Sequence, residues 1–258
     1  MKFGICVSVA QAHEVVGSGA EFVEEHIQNL FKPLEAETSF AENRERVLKS
    51  PLPCPAANCF LPATLPCVGP KVDTEALLRY AEVAFARAKS VGLKIFVFGS
   101  AGARKIPEGW SLDAAKDQFS SLLKKLAPIA ERNDLTIVVE PLHRKECNFI
   151  TSLADGAEMV RRADHPNVWL LADLFHMLRD NEPPEEIVKY GPLLRHAHMA
   201  EKEKRTAPGV MGDDFRPYFR ALKKAGYDRL MALECGWGDR KAEAPKAIEA
   251  ALKQWKEA

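Results

Sequence analysis

The sequence predicts a single-domain α/β protein, a (β/α)₈ TIM barrel spanning residues 1–258, on three observations. Short apolar or β-branched runs alternate with longer stretches of helical periodicity along the whole chain, as in a parallel sheet built from β-α units. Eight such runs can be counted, and 258 residues is the length one barrel of this kind needs. Four consecutive runs in the second half carry a polar residue at or next to their carboxyl end. In a barrel the carboxyl ends of all strands open onto one face.

Taken in order, the predicted strands are Phe3–Val9, Glu21–Glu25, Pro55–Phe60, Leu93–Phe98, Leu135–Glu140, Val168–Asp173, Leu194–Met199 and Arg229–Glu234. The first could imitate a short signal peptide, but its apolar run is brief and alternates, so it reads as a buried strand. A helix is expected over Thr74–Ser90, where Leu77, Leu78, Ala81, Phe85 and Ala88 share a face behind the N-cap Asp73. Another runs from Leu112 to about Arg132. Ser152 and Asp155 form a capping box opening a helix to about Arg162, and Asp213 is expected to cap the helix containing Tyr218, Leu222 and Ala225. A last helix, from about Ala244, closes the chain. Between Lys49 and Val72 stand Pro51, Pro53, Pro55, Pro62, Pro66 and Pro70, which exclude continuous regular structure. A strand followed by a long loop is expected there, and such a loop lines the active face of a barrel as a wall or lid.

Composition narrows the function classes. Thirty-six basic and thirty-six acidic residues cancel, so no global field draws the chain to nucleic acid or an anionic membrane. No segment approaches the ~18 continuous apolar residues of a membrane helix. The six cysteines form no CxxC pair and several lie inside predicted strands, which fits reduced thiols and a cytoplasmic location.

The chemistry lies at the strand ends. Leu135–Val139 runs into Glu140, Val168–Ala172 into Asp173, Leu194–Ala197 into His198 and Leu230–Leu233 into Glu234. Side chains at those positions converge on one face of a barrel. Two glutamates, an aspartate and a histidine make a mostly oxygen donor set for one divalent metal ion. Mn²⁺, Mg²⁺ or Co²⁺ suits it, with Zn²⁺ or Fe²⁺ as alternatives. Singly, each residue has a plainer reading as a cap, a loop carboxylate or a packed histidine; it is the joint pattern that points to a metal. A metal holding a carbonyl and a neighbouring hydroxyl stabilises an enediolate. Glu140 and Glu234 could then act as a proton-transfer pair: one removes the proton, the other returns it. A proton returned to the opposite face epimerises, and one moved to the next carbon isomerises. His196 is assigned to the opposite face of its strand from His198 and given no ligand role. The run from Gly99 to Arg104 offers backbone amides and the Arg104 guanidinium to an anionic substrate group, and Trp110 or Trp237 offers an apolar wall.

The segments Glu140-Pro141-Leu142-His143-Arg144-Lys145-Glu146, Asp173-Leu174-Phe175-His176-Met177, His196-Ala197-His198 and Glu234 resemble, in order and spacing, the motifs of the xylose isomerase-like barrels. Among these, the ketose 3-epimerases and hydroxypyruvate isomerases are the most similar. The resemblance implies a metal-dependent isomerase or epimerase acting on a ketose or small hydroxy-keto acid, with Glu140, Asp173, His198 and Glu234 as metal ligands. It also implies that Glu146, His176 and Arg205 contact substrate, and that the chain forms a homo-oligomer as relatives do. His143 departs from the asparagine common at its position, and Lys204 stands beside Arg205 as an alternative contact. Three competing readings share the scaffold: a lyase or dehydratase of a keto-sugar or keto-inositol, a phosphodiesterase resembling endonuclease IV, and a non-catalytic binding barrel. Seven histidines and a balanced charge disfavour the nuclease.

Overall fold

A computed structural model describes residues 1–258. Eight parallel strands close into a barrel in sequence order. They are β1 (Lys2–Cys6), β2 (Phe22–His26), β3 (Ala56–Asn58), β4 (Ile95–Phe98), β5 (Thr136–Val139), β6 (Val168–Asp173), β7 (Leu194–Met199) and β8 (Leu230–Leu233). The ring is sealed by β8 pairing with β1, with Phe3 opposite Met231. Closure leaves no edge strand, so every strand can be apolar on both faces.

The outer ring contains α1 (Ile27–Phe31), α2 (Glu37–Leu48), α3 (Thr74–Ser90), α4 (Ala101–Arg104), α5 (Leu112–Arg132), α6 (Leu153–Ala163), α7 (Leu174–Asp180), α8 (Glu185–Tyr190), α9 (Arg216–Lys224) and α10 (Arg240–Glu257). The predicted caps at α3 and α6 are formed: the Ala76 amide donates to Asp73 at 2.9 Å and the Asp155 amide to Ser152 at 3.1 Å. Asp155 returns a bond by accepting from the Thr151 amide at 2.9 Å. One continuous core of 72 buried residues joins the strands to the helices. A small separate cluster, Val97, Val138 and Leu171, lies on the other face of β4, β5 and β6. Residues two apart on a strand share a face, so Glu140 and Asp173 stand above Val138 and Leu171 at the barrel mouth.

Several boundaries differ from expectation. β1 stops at Cys6 because Ser8 caps a 3₁₀ turn over Val9–Glu14, and the Val9 amide donates to Glu25 at 2.7 Å. β3 is only Ala56–Asn58, ended by Cys59 at φ 56°. Asp213 does not cap α9; its carboxylate accepts from the Lys202 amide at 2.5 Å, and α9 has no side-chain cap. α10 starts at Arg240, four residues before the expected Ala244, because Asp239 caps it by accepting from the Ala242 amide at 3.2 Å. No helix is long and apolar enough to cross a membrane.

Candidate functional site

β5 to β8 bring Glu140, Asp173, His198 and Glu234 together, with one candidate ligand atom from each lying within 4.8 Å of the others. Parallel register explains the meeting: Asp173 is opposite His198, and His198 is opposite Ala232, two residues before Glu234. His198 Nδ1 is 3.2 Å from Glu234 Oε2 and 3.4 Å from Glu140 Oε1. Glu140, Asp173 and His198 are all buried, and Glu234 is partly open to the cavity.

Beneath this layer lies a residue that strand-end reasoning misses. Glu24, inside β2 and buried, lies 2.8 Å from His198 Nε2 and 2.7 Å from His196 Nε2. The expectation that His196 faces away from His198 is therefore corrected: residues two apart on a strand share a face, and both rings point into the barrel. With Nε2 of His198 held by Glu24, its Nδ1 is turned to the mouth, the usual way a carboxylate orients a metal-binding imidazole. Burial opposes charge on Glu24, but the two imidazoles outweigh it and hold the carboxyl well below its ordinary range. Two more supports come from the first half of the chain. Asn58 donates to Glu234 Oε1 at 3.0 Å. Gly99 leaves the space into which the Glu140 carboxylate folds, since a Cβ there would overlap Glu140 Oε2.

The layer is short of partners. Glu140 Oε1, Asp173 Oδ2, His176 Nε2 and His198 Nδ1 are buried without a hydrogen bond. Buried polar atoms are costly when unpaired, and here they crowd around one point. Burial, reinforced by the neighbouring Glu234 and Asp173 carboxylates, raises Glu140 to about 7 despite the opposing pull of His198. His198 is opposed by burial, but Glu24, Glu234 and Glu140 outweigh it and raise its pKa well above the ordinary value. The donor set is three carboxylates and one imidazole, which suits a hard or borderline divalent cation.

A cavity of about 300 Å³ opens above these residues and is lined by Glu140 and Glu234 together with Glu146, His176 and Arg205. Arg205 donates through Nε to the Glu234 carbonyl at 2.9 Å and pairs through its terminal nitrogen with the Glu234 carboxylate. Its guanidinium also stands over the Phe175 ring at 4.6 Å. Lys204 does not line the cavity. His176 accepts from the His143 amide at 3.1 Å through Nδ1, and burial, with Arg205 beside it, pushes its pKa down to about 2. Glu146 reaches toward His143 Nε2 at 3.6 Å.

Arg104 departs from expectation. It is fully buried and donates to the Phe98 carbonyl at 3.0 Å, so its guanidinium turns back beneath the strand end, away from the cavity. Ser100, Ala101 and Gly102 line the cavity instead, and neither Trp110 nor Trp237 does. The charged run after β7 also has a hidden order: buried Glu201 accepts from the amides of Gly209 at 2.8 Å and Gly212 at 2.9 Å, folding the loop that carries Arg205. The signal for Glu201 and Glu24 was a carboxylate inside or just after an apolar run, a place that costs energy unless it is fully bonded.

The profile of the xylose isomerase-like TIM barrels matches residues 12–258. The chain belongs to this family. The barrel is 29% identical over 136 residues to the 3-dehydro-D-guloside 4-epimerase of Escherichia coli, an alignment covering 52% of this chain and 50% of that protein. The barrel thus spans about half the length of the curated relatives it matches. Among solved structures, a 3-keto-D-glucoside 4-epimerase from E. coli superposes with a TM-score of 0.81 at 20% identity, covering 98% of this chain and 99% of that one. A D-psicose 3-epimerase from Clostridium cellulolyticum does so with a TM-score of 0.82 at 18% identity, covering 99% of each. At these identities the superpositions establish the fold.

Proposed function

We propose that this xylose isomerase-like barrel is a divalent-metal-dependent sugar isomerase or epimerase that moves a proton next to the carbonyl of a neutral keto-sugar. The observation that carries the reading is the cluster of buried, unpartnered atoms on Glu140, Asp173 and His198, closed by Glu234 within 4.8 Å. Those four residues would hold the ion, with Mn²⁺, Mg²⁺ or Co²⁺ the best match to their donors. When bound, the ion supplies the Lewis acidity that makes the proton beside the carbonyl removable.

The chain's own groups supply the rest. Glu140 and Glu234 are the two carboxylates that reach both the cluster and the cavity, so one removes the proton and the other delivers it. Arg205 orients Glu234 and turns its remaining donors to the substrate's oxygens. His176, held neutral, and Glu146 offer hydrogen bonds to hydroxyl groups from the cavity wall. The same lining disfavours a phosphate or carboxylate substrate. Arg205 is its one arginine or lysine and is already paired with Glu234, while Glu140, Glu146 and Glu234 are acidic. The names of the curated relatives, among them a 3-dehydro-guloside epimerase and an L-ribulose 3-epimerase, support a keto-sugar or ketose.

The test is solvent exchange. Protein with bound ions quantified should incorporate deuterium beside the carbonyl of a ketose or keto-glycoside. Chelation should stop the incorporation, and Mn²⁺, Mg²⁺ or Co²⁺ should restore it. Exchange that survives complete chelation would sink the metal-dependent reading.

A further inference from the structure

The candidate cavity does not end at the barrel mouth. Gln28 and Pro62 line it and also line a second, groove-like depression of about 130 Å³ beside α1 and α3, so the two adjoin across these side chains. The groove's apolar faces come from Pro33, Leu34 and Pro62, with buried Tyr80 at its base and Gln28, Lys32 and Glu35 at its edges. Leu34 is 69% exposed and stands on the groove's rim.

The turn that displays Leu34 is built rigidly. Arg87, only 5% exposed, donates to the carbonyls of Phe31 at 2.7 Å, Lys32 at 2.7 Å and Glu35 at 3.0 Å, and pairs with Glu37 at 2.9 Å. One buried guanidinium thus fixes both ends of the segment around Pro33 and Leu34. The opposite wall is equally fixed, because the Tyr80 hydroxyl donates to the Phe60 carbonyl at 2.8 Å. Lys32 and Glu35 lie 3.7 Å apart, so the charges that border the groove are matched. At the junction Gln28 Nε2 donates to the Cys59 carbonyl at 2.8 Å, which leaves the Gln28 side-chain oxygen for a hydroxyl on a bound molecule.

A free ketose carries a hydroxyl on nearly every carbon, and proline and leucine faces offer hydroxyl groups no partners. An apolar substituent on the sugar gains by burial there. Resting on the epimerase reading above, we propose that the substrate is a keto-glycoside, and that its aglycone, a group with an apolar or aromatic face, lies in the groove between Leu34 and Pro62. The anomeric carbon is then blocked, so the sugar is held as a closed ring with its keto group toward Glu140 and Glu234.

Binding and turnover are to be measured separately on the metal-loaded protein. For binding, calorimetry compares phenyl and methyl β-D-glucopyranoside, which lack the keto group and cannot react. The phenyl compound should bind at least about tenfold tighter, the ratio expected from burying roughly 50–60 Å² of ring surface. In Leu34→Ser, an exposed substitution outside the proton-transfer machinery, the ratio should fall toward unity. Equal binding of the two glucosides by the unaltered protein, or a ratio unchanged by Leu34→Ser, overturns the groove assignment. For turnover, the 3-oxo forms of the same glucosides and a set of free ketoses are followed by deuterium exchange. Phenyl-selective binding without any exchange would overturn the epimerase reading alone. Exchange without phenyl selectivity would overturn the groove proposal alone.

Discussion

The two halves of the barrel contribute to the mouth in different ways. β5 to β8 each lead into a polar residue aimed at one point, and Glu140, Asp173, His198 and Glu234 come from them alone. β1 to β4 send no member of that set; instead Glu24 orients His198 from below, Asn58 holds Glu234 and Gly99 makes room for Glu140. Converging side chains in one half and their supports in the other mean that barrel closure itself assembles the candidate site. A side chain held from across the barrel keeps its geometry without relying on its own loop.

The division predicts a hierarchy of effects. The largest belongs to the donor half: Glu140→Gln or Glu234→Gln should lower deuterium exchange by about 10²–10⁴-fold, the range for losing a positioned acid or base. Circular dichroism should report an unchanged fold. Wild-type exchange in both variants would remove the proton-transfer pair. Next comes a single methyl group in the supporting half. Gly99→Ala should displace the Glu140 carboxylate and cost about 10²-fold in kcat, the scale of a 1 Å misplacement, while thermal stability stays close to that of the parent. If Gly99→Ala is fully active, the supporting half is less strictly built than the contacts indicate.

A smaller effect should come from beneath. Glu24→Gln keeps the shape but removes the charge that orients two imidazoles, and should weaken divalent-ion affinity about 10–100-fold, as other outer partners of metal-bound histidines do. The measurement is a competition titration against a chromophoric chelator. Unchanged affinity would make Glu24 a packing residue.

This contrast also explains what could be read in advance. The donor half was legible because each of its polar residues ends an apolar run, and a carboxylate there either meets water or meets a partner. The eight strands followed from the same alternation, with boundaries shifting where a local cap intervened, as Ser8 ends β1 and Asp239 starts α10 early. The supporting half was hidden because its residues act across the sheet. Glu24 and His196 are separated by 172 positions, and nothing local marks them as partners. Arg104 misled for the opposite reason: beside glycines after a strand it looks like an anion contact, whereas its bond to the Phe98 carbonyl turns it inward.

The smallest expected effect sharpens the comparison through one buried and one half-buried carboxylate. Glu24, with two imidazoles, is held low, whereas Glu182 in the donor half, whose carboxylate accepts from the Leu153 amide at 2.8 Å, is pushed by burial from 4.5 to about 7. A carboxyl whose pKa is higher folded than unfolded binds more protons in the folded state between those two values. Glu182 should therefore cost no stability below pH 4.5, and should progressively destabilise the fold as the pH rises to about 7. Glu182→Gln keeps an acceptor for Leu153 and removes the titration, so its melting temperature relative to the parent should rise across that window and level off above it. A difference independent of pH would mean that Glu182 is solvated enough to titrate normally. The donor half would then carry its unpaired burial only where a cation can relieve it.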